Sequence, residues 1–573
     1  MNIHSTYSHT FNDSHHMKIM GGFQTENTKR HDFNAKKYGF QDPDRTEFDL
    51  TTGKNSKDAD IGSEVKGYSW DWATAGFFGR LNYDYKSRYL VEGNLRYDGT
   101  SRFRRGNRWQ LSPSFSAGWN IAEEPFFGNL KKTIDQLKLR TSYGVLGNQN
   151  TSGWYPTYRS MSIGVLNGQW LNGGTAPNTS SIGSLVSSAL TWEKVKTWNV
   201  GIDYAFFNNR LTGYFDYFVR RTEDMVGPAP ELPATLGVSS PKTNNCDLKT
   251  RGWELQISWR DRLRCGFNYG VTLSLSDQQT YIDSYPGNMT GSFYSSNTYY
   301  PWQYVSGYKI NTIWGYETIG IAKSQEEMNA HLASLPNGGQ SAIGDNWSAG
   351  DIMYKDLNGD GQISPGAMTT SDHGDLKILG DSNPHFFFSL DMNASWKGFD
   401  IRAYWQGVLK HDFWPAGNSI MNHSTSWGPG QMFWGVPGNQ GESWIIGYTQ
   451  HQDYFRAEES GLDEHKLSAN LDSYYPRPLF NNEKGYKNQY IQSRYMQNAA
   501  YVRLKNLQLG YTLPKAWTEN AGISKCRIFV SAENVFTITS LSKLFDPETC
   551  SGGVGGNAYP LSRTWSCGLN VTF

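Results

Sequence analysis

The sequence predicts an all-β protein, a transmembrane antiparallel β-barrel whose strands extend across residues 1–573. Three observations predict it. The chain closes on SRTWSCGLNVTF, in which Trp565, Cys567, Leu569, Val571 and Phe573 share one parity while Thr564, Ser566, Gly568, Asn570 and Thr572 share the other. Successive side chains of a strand point to opposite faces, so this is a strand with one apolar and one small polar face. Short and long connections alternate along the chain, as periplasmic turns and outer loops do in outer-membrane barrels. Aromatic residues make up 15% of the chain, which also carries 60 Gly and a formal net charge of zero; that is the makeup of many strands joined by loops and turns.

Each element follows from the same two signals. From the N-terminus, NDSH at Asn12 and YKSR at Tyr85 are hairpin turns. In RYLVEGNLRYD, Tyr89, Val91, Gly93, Leu95 and Tyr97 face one way and Glu92, Asn94, Arg96 and Asp98 the other. FNNR at Phe207 turns into RLTGYFDYFVR. GWELQISWR sets Trp253, Leu255, Ile257 and Trp259 against Glu254, Gln256, Ser258 and Arg260, and RDRLR at Arg260 ends it. WKGF at Trp396 is another tight turn. YVRLKNLQLGY changes phase around Asn506, the mark of a β-bulge. RIFVSAENVF and the terminal strand complete the set. The long connections cover 26–72, 148–191, 225–247, 277–384 and 411–498, and within them 278–384 reads as a long extracellular loop region.

About fifteen strands result if 308–321 is assigned to a loop. Bacterial single-chain barrels have an even count with both termini periplasmic, so an odd count starting at the outer surface predicts an N-terminally truncated portion of a longer protein. The start, MNIHSTYSHTFNDSHHMKIM, has no basic stretch followed by an apolar run.

Several classes are excluded. Zero net charge and the lack of a basic run with interleaved aromatics argue against nucleic acid. No apolar run approaches the roughly 18 residues of a transmembrane helix. Mean hydropathy is -0.61, a test blind to barrels, because a lipid-facing strand offers lipid only every second residue. GxSxG, HExxH and P-loop patterns are missing, so no enzyme is read. Cys246, Cys265, Cys526, Cys550 and Cys567 are odd in number and lack zinc spacing, which suits isolated packing cysteines. The alternative reading is a cell-surface carbohydrate-binding β-sandwich protein without transport activity. The loop alternation, the length of the strands and the terminal Phe573 weigh against it.

The sharpest chemical motif is DLNGDGQIS. Asp356, Asn358, Asp360, Gln362 and Ser364 stand at positions one, three, five, seven and nine of a calcium loop around Gly361, so a structural Ca2+ is expected. Position twelve is Ala367, and Asp372 or Asp375 is the available stand-in for the missing carboxylate. The competing reading is an Asx/Gly turn held by its own hydrogen bonds. Trp302, Trp347, Trp414, Trp427, Trp434 and Trp444 sit in long loops, where flat aromatic faces suit sugars or peptides but also pack loops together. No substrate-binding residue can be named from them. His4, His9, His15, His16 and His31 lie on strand positions that do not enforce convergence on a metal. Arg96, Asp98, Glu254 and Arg260, on polar parities, line a wet lumen or touch a plug.

Seven segments in order, NLRYDGTSRF, PSFSAGWNIAEEPFF, LKLRTSYGVLGNQ, TWEKVKTWNVGIDYAFFNNRLTGYFDYFVRRTEDMV, GDIMYKDLNGDGQIS, AAYVRLKNLQLGYTLP and SAENVFTIT, resemble the C-terminal barrel of the SusC/RagA family of TonB-dependent outer-membrane transporters. The resemblance spans nearly the whole chain. It implies the C-terminal fifteen or so strands of a barrel of about 22, with the plug domain absent from this stretch. It implies import of an oligosaccharide or peptide across the outer membrane of a Gram-negative bacterium, with a SusD-like surface lipoprotein as partner. Energy would come from TonB through an N-terminal region not in this sequence. It also implies that Phe573 belongs to the signal read by the outer-membrane barrel-assembly machinery. The apolar parity of the last strand would then face lipid and the polar parity the lumen.

Overall fold

The structure, a computed structural model, describes residues 1–573 apart from 43, 56, 58, 150, 152, 166–177, 228–234, 236–239, 294–303, 416–451, 460–465, 478–485, 489 and 552–557. Fifteen strands form one sheet in chain order: Asn2–Phe11, His15–Lys36, Glu64–Tyr85, Tyr89–Thr100, Trp109–Asn120, Ile134–Asn148, Glu193–Phe206, Leu211–Val226, Asn244–Arg262, Asn268–Ser284, His385–Trp396, Phe399–Lys410, Tyr501–Thr512, Lys525–Thr539 and Thr564–Thr572. Each inner strand pairs with its predecessor and its successor, and the first and last strands with one neighbour each, the meander of an up-and-down barrel. The ladders from Asn2 to Thr100 and from Asp247 to Thr572 are antiparallel. Residues 312–316 and 318–321 form small separate sheets in the loops, as the count of fifteen requires.

The tight turns explain the register. Asn12 and Asp13, Lys86 and Ser87, Phe207 to Asn209, and Lys397 with Gly398 all have positive φ. Left-handed residues at both central positions give a turn whose twist matches that of its strands. At Lys397 and Gly398 a Cβ on the glycine would lie 2.7 Å from the Thr512 carbonyl oxygen, so the turn needs glycine there. In Tyr501–Thr512 the pairing slips between Leu504 and Asn506: against Phe399–Lys410 Lys505 is the extra residue, whereas against Lys525–Thr539 it stands opposite Asn534 and Val535. The phase change read from the sequence is this bulge.

The chain divides into two compact units, 1–117 with 142–197 and 222–245, and 118–141 with 198–221 and 246–573. In the first, the apolar parity is turned out: Leu81, Val91, Leu95 and Tyr97 are all close to half exposed. The polar parity is bonded to itself. Arg80 Nε donates to Asn94 Oδ1 at 2.6 Å, Asn94 Nδ2 to Glu92 Oε1 at 2.7 Å, and Arg96 grips Asp98 through two bonds of 2.9 and 3.0 Å. The second unit repeats the pattern. Leu509, Val530, Trp565 and Leu569 are 50 to 69% exposed, whereas Arg140 holds Asp216 by two 2.6 Å bonds and Asp203 at 3.0 Å. A water-soluble sheet buries its apolar face, so a sheet that exposes it and bonds its charges on the other face is built for lipid.

The second unit also holds an ordinary dry core, and it lies outside the large sheet. Phe293, Trp314, Tyr316, Ile352, Tyr354, Ile363, Leu376, Trp414, Ile491 and Tyr495 are all buried together. They come from the long connections 285–384 and 411–500. Two short ladders frame them, Thr312–Tyr316 with Leu376–Asp381 and Thr318–Ile321 with Ile352–Tyr354. The helix Gln325–Ala333 begins where Ser324 Oγ accepts from Glu327 N at 3.2 Å, and it buries Met328. Among the described residues no helix is long and apolar enough to cross a membrane.

Candidate functional site

The loop core is pinned by charge as well as by packing. Asp351 and Lys487, with side chains 0% and 1% exposed, lie 2.6 Å apart. Arg477 donates to the two Asp351 oxygens at 2.9 and 3.1 Å, and Asn488 Nδ2 adds a bond of 3.0 Å. Lys487 Nζ also reaches the Asp345 and Asn346 carbonyls at 3.0 and 2.9 Å and sits over the Trp347 ring. Burial pushes Asp351 up, but the Arg477 bonds and the Lys487 charge more than offset it and hold the carboxyl below its ordinary value. Burial pulls Lys487 below its ordinary value against the pull of Asp351. The backbone just after Asp351 donates inward as well, Ile352 N to Asn488 Oδ1 at 2.9 Å and Tyr354 N to Gln340 Oε1 at 2.7 Å. Asp351 lies 126 residues from Arg477 and 137 from Asn488 in the chain, and no local spacing in the sequence announces them.

Where the loops join the sheet, the His385 ring spans two carboxylates, Nδ1 at 2.8 Å from Asp277 Oδ1 and Nε2 at 3.1 Å from Asp381 Oδ2. Asp381 N in turn donates to Asp412 Oδ2 at 3.0 Å. Strand start, loop end and neighbouring strand are thus tied at one point. A second tie is made by Arg503, almost fully buried, which bonds Asp546 and Glu548 at 2.8 Å each while Lys505 reaches Glu548 at 2.9 Å. The residue that the bulge displaces therefore serves the loop 540–563.

The acidic motif forms a closed turn. Asp356 accepts from Gly359 N at 2.6 Å and Gly361 N at 2.9 Å, Asn358 Oδ1 from Asp360 N at 3.0 Å, and Asp360 Oδ1 from Gln362 N at 2.9 Å. Asn358 Nδ2 donates to Asp360 Oδ2 at 3.0 Å. Ser364 N donates to Asp375 Oδ2 at 2.8 Å, and Leu357 N to Asp375 Oδ1 at 2.7 Å. Asp375, one of two candidate stand-ins for the missing twelfth-position ligand, is the one packed beneath the turn; Asp372 instead accepts from Ala367 N at 3.1 Å. Burial, with the Asp356 carboxylate nearby, raises Asp375 above its ordinary value despite its backbone donors. Among the described residues no group of three or more His, Cys, Asp or Glu is arranged to hold a metal ion.

The remaining sequence candidates scatter. Trp347 stacks edge-on against Tyr354 and Trp414 is buried in the loop core, so both pack loops. Trp302, Trp427, Trp434 and Trp444 lie outside the described residues. His15 bonds Tyr83 Oη at 2.8 Å and His16 bonds Thr10 Oγ1 at 2.9 Å, local pairs between neighbouring strands. Phe573 follows the last strand and is 86% exposed, while Thr572 O just before it accepts from Ser524 N and Oγ at 2.8 and 2.9 Å. All five cysteines are free thiols.

Against known proteins, the family model described as TonB dependent receptor-like, beta-barrel, matches residues 2–535. The chain belongs to that family. The family is one of receptors and transporters, not enzymes, and its members are outer-membrane proteins, so the outward apolar parity of this chain meets lipid. TonB-dependent receptor P3 of Formosa agariphila is 27% identical over 593 residues, covering 99% of this chain and 51% of the relative. TonB-dependent receptor SusC of Bacteroides thetaiotaomicron is 26% identical over 520 residues, covering 89% of this chain and 45% of SusC. The chain spans about half the length of the curated relatives it matches. The solved RagAB peptide transporter superposes with a TM-score of 0.74 at 19% identity, covering 100% of this chain and 55% of that one, which supports the fold.

Proposed function

We propose that this chain is the barrel part of a SusC-like importer that takes up an oligosaccharide or peptide across the outer membrane, driven by TonB and partnered by a SusD-like surface lipoprotein. The match of the receptor barrel model to residues 2–535 carries this reading. Likeness to SusC and to the RagAB peptide transporter supports the choice of transport class. In this reading the region 278–384 is extracellular, and its packed loops face the lipoprotein and substrate. A structural Ca2+ on Asp356, Asn358, Asp360, Gln362 and Ser364 belongs to the same reading, supported by the single turn that brings the Asp356, Asn358 and Asp360 side chains together.

The test is genetic complementation. A strain lacking the full-length gene should fail to grow on the imported glycan or peptide and recover with the intact gene. Recovery should require both TonB and the neighbouring lipoprotein gene. Growth independent of TonB would overturn the mechanism.

A further inference from the structure

The outward face of the second unit is uneven near its short turns. Four strands present rows of side chains there, and the register fixes the rows. Trp396, Phe399, Tyr511 and Ile528 form one, and Ala394, Ile401, Leu509 and Val530 form the next. The third is Met392, Ala403, Leu507 and Ala532. Large aromatics therefore stand at the turn end, while alanines leave the face low farther along. The result is a groove of about 520 Å³ whose wall is mostly apolar, running from Phe267 and Trp396 across Ile401 and Leu509 to Val530. That is within the size range of small-molecule sites, about 300–1,000 Å³.

The surroundings say what fits it. Aromatic side chains in a barrel gather at the membrane interface, so the row of Trp396, Phe399 and Tyr511 marks the level of the headgroups. The short-turn end is the periplasmic end. At that level Lys397 stands in the turn with its ammonium 4.7 Å from the Trp396 ring centre. Arg264 and Lys525, both exposed, lie in and beside the neighbouring turns. An apolar trough ending in an aromatic rim, with Lys397 on the Trp396 ring and Arg264 next to Cys265, whose carbonyl accepts from Trp396 Nε1 at 3.3 Å, is complementary to an acyl chain ending in a phosphate; Asp400, the carboxylate among the groove's lining residues, is held by Arg527 at 2.9 Å. A second copy of the chain fits less well, because two barrels in one membrane share an orientation and would set Lys397 level with Lys397.

We propose that this groove is a binding site for one anionic phospholipid of the inner leaflet, its acyl chain over Ile401, Leu509 and Val530 and its phosphate at Lys397 and Arg264. The inference needs only the barrel's seat in the membrane and not the identity of the imported substrate.

Native mass spectrometry of the full-length protein in detergent, titrated with phosphatidylglycerol, tests it directly. One equivalent should remain bound under activation that strips the rest. Lys397→Gln should weaken retention about fivefold, the effect of one cation beside an anionic surface. Ala394→Trp, which fills the trough while keeping the face apolar, should abolish it in protein that assembles normally. Phosphatidylethanolamine of the same chain length should be held more weakly. Equal retention by wild type and Ala394→Trp, or a dimer in place of the lipid adduct, would overturn the assignment.

Discussion

Replacing Asp351 by Ala should open the loop assembly while leaving the large sheet intact. The magnitude follows from what the substitution strands. Lys487 is 1% exposed and loses Asp351, its one charged partner within salt-bridge distance among the described residues, keeping two carbonyls and the Trp347 face. Arg477, about a third exposed, can turn to water. Breaking a buried pair by removing one partner costs about 3–5 kcal/mol, which is roughly two to nearly four powers of ten in the local opening equilibrium. Hydrogen exchange on the full-length protein reads this at the Ile352 and Tyr354 amides, with amides of Tyr501–Thr512 as the internal reference. Asp351→Leu combined with Lys487→Met should recover most of the protection, since an apolar pair of similar volume removes the stranded charge. Acid should mimic the single variant. The folded carboxyl sits below its unfolded value, so its contribution is present above the ordinary carboxylate range and is lost as pH falls through the lowered value, below about pH 4. Unchanged protection in Asp351→Ala, or no rescue in the double variant, would refute the view that this buried charge cluster holds the loops.

Deleting Lys505 should close the bulge against Phe399–Lys410 while keeping Val502, Leu504, Leu507 and Leu509 on one parity, so the heat-resistant folded band on gels should persist although the Lys505 bond to Glu548 is lost. Phe573→Asp should reduce surface levels and expose the protein to periplasmic degradation; normal levels would count against an assembly role for that residue. Calcium should slow proteolysis within 350–381, and Asp360→Ala should erase the difference between calcium and chelator. A cleavage rate indifferent to both would leave the Asx/Gly turn to its own hydrogen bonds.

The strands were legible because each one states its own rule locally. Tyr89 to Asp98 alternates within ten residues, and the Lys505 bulge shows as a break in that alternation, so no long-range information was needed. The turns were legible from Asn, Asp, Lys and Gly at positions where the chain needs positive φ. The loop core was not. Its apolar residues follow no period, and its charged members, Asp351, Arg477 and Lys487, are brought together by folding across more than 120 residues. Trp347 and Trp414 were visible as loop tryptophans, yet whether such a ring packs or binds depends on neighbours that sequence spacing does not specify. His385 and Arg503 were missed for the same reason: a single His or Arg on a strand looks like any lumen-facing polar residue until its two carboxylate partners are found.

The two kinds of packing in this chain also explain why its mean hydropathy misleads. On the large sheet the apolar side chains stay exposed, and their stabilisation comes from lipid, so Leu569 at 61% exposed is as much at home as Tyr316 at 0%. In the loops the ordinary hydrophobic effect acts in water, at about 25 cal/mol for each Å² buried. The two regions therefore answer to different perturbations. Detergent stripping threatens the sheet and should spare the loop core. Loss of Asp351 or acid threatens the loop core and should spare the sheet. The ties at His385 and Arg503 are where the two solvents meet, since each anchors a strand residue to a loop carboxylate: Asp381 in one case, Asp546 and Glu548 in the other. Any displacement of the loops is bounded at these ties. Segments beyond them can rearrange, while the strand ends they hold remain in register.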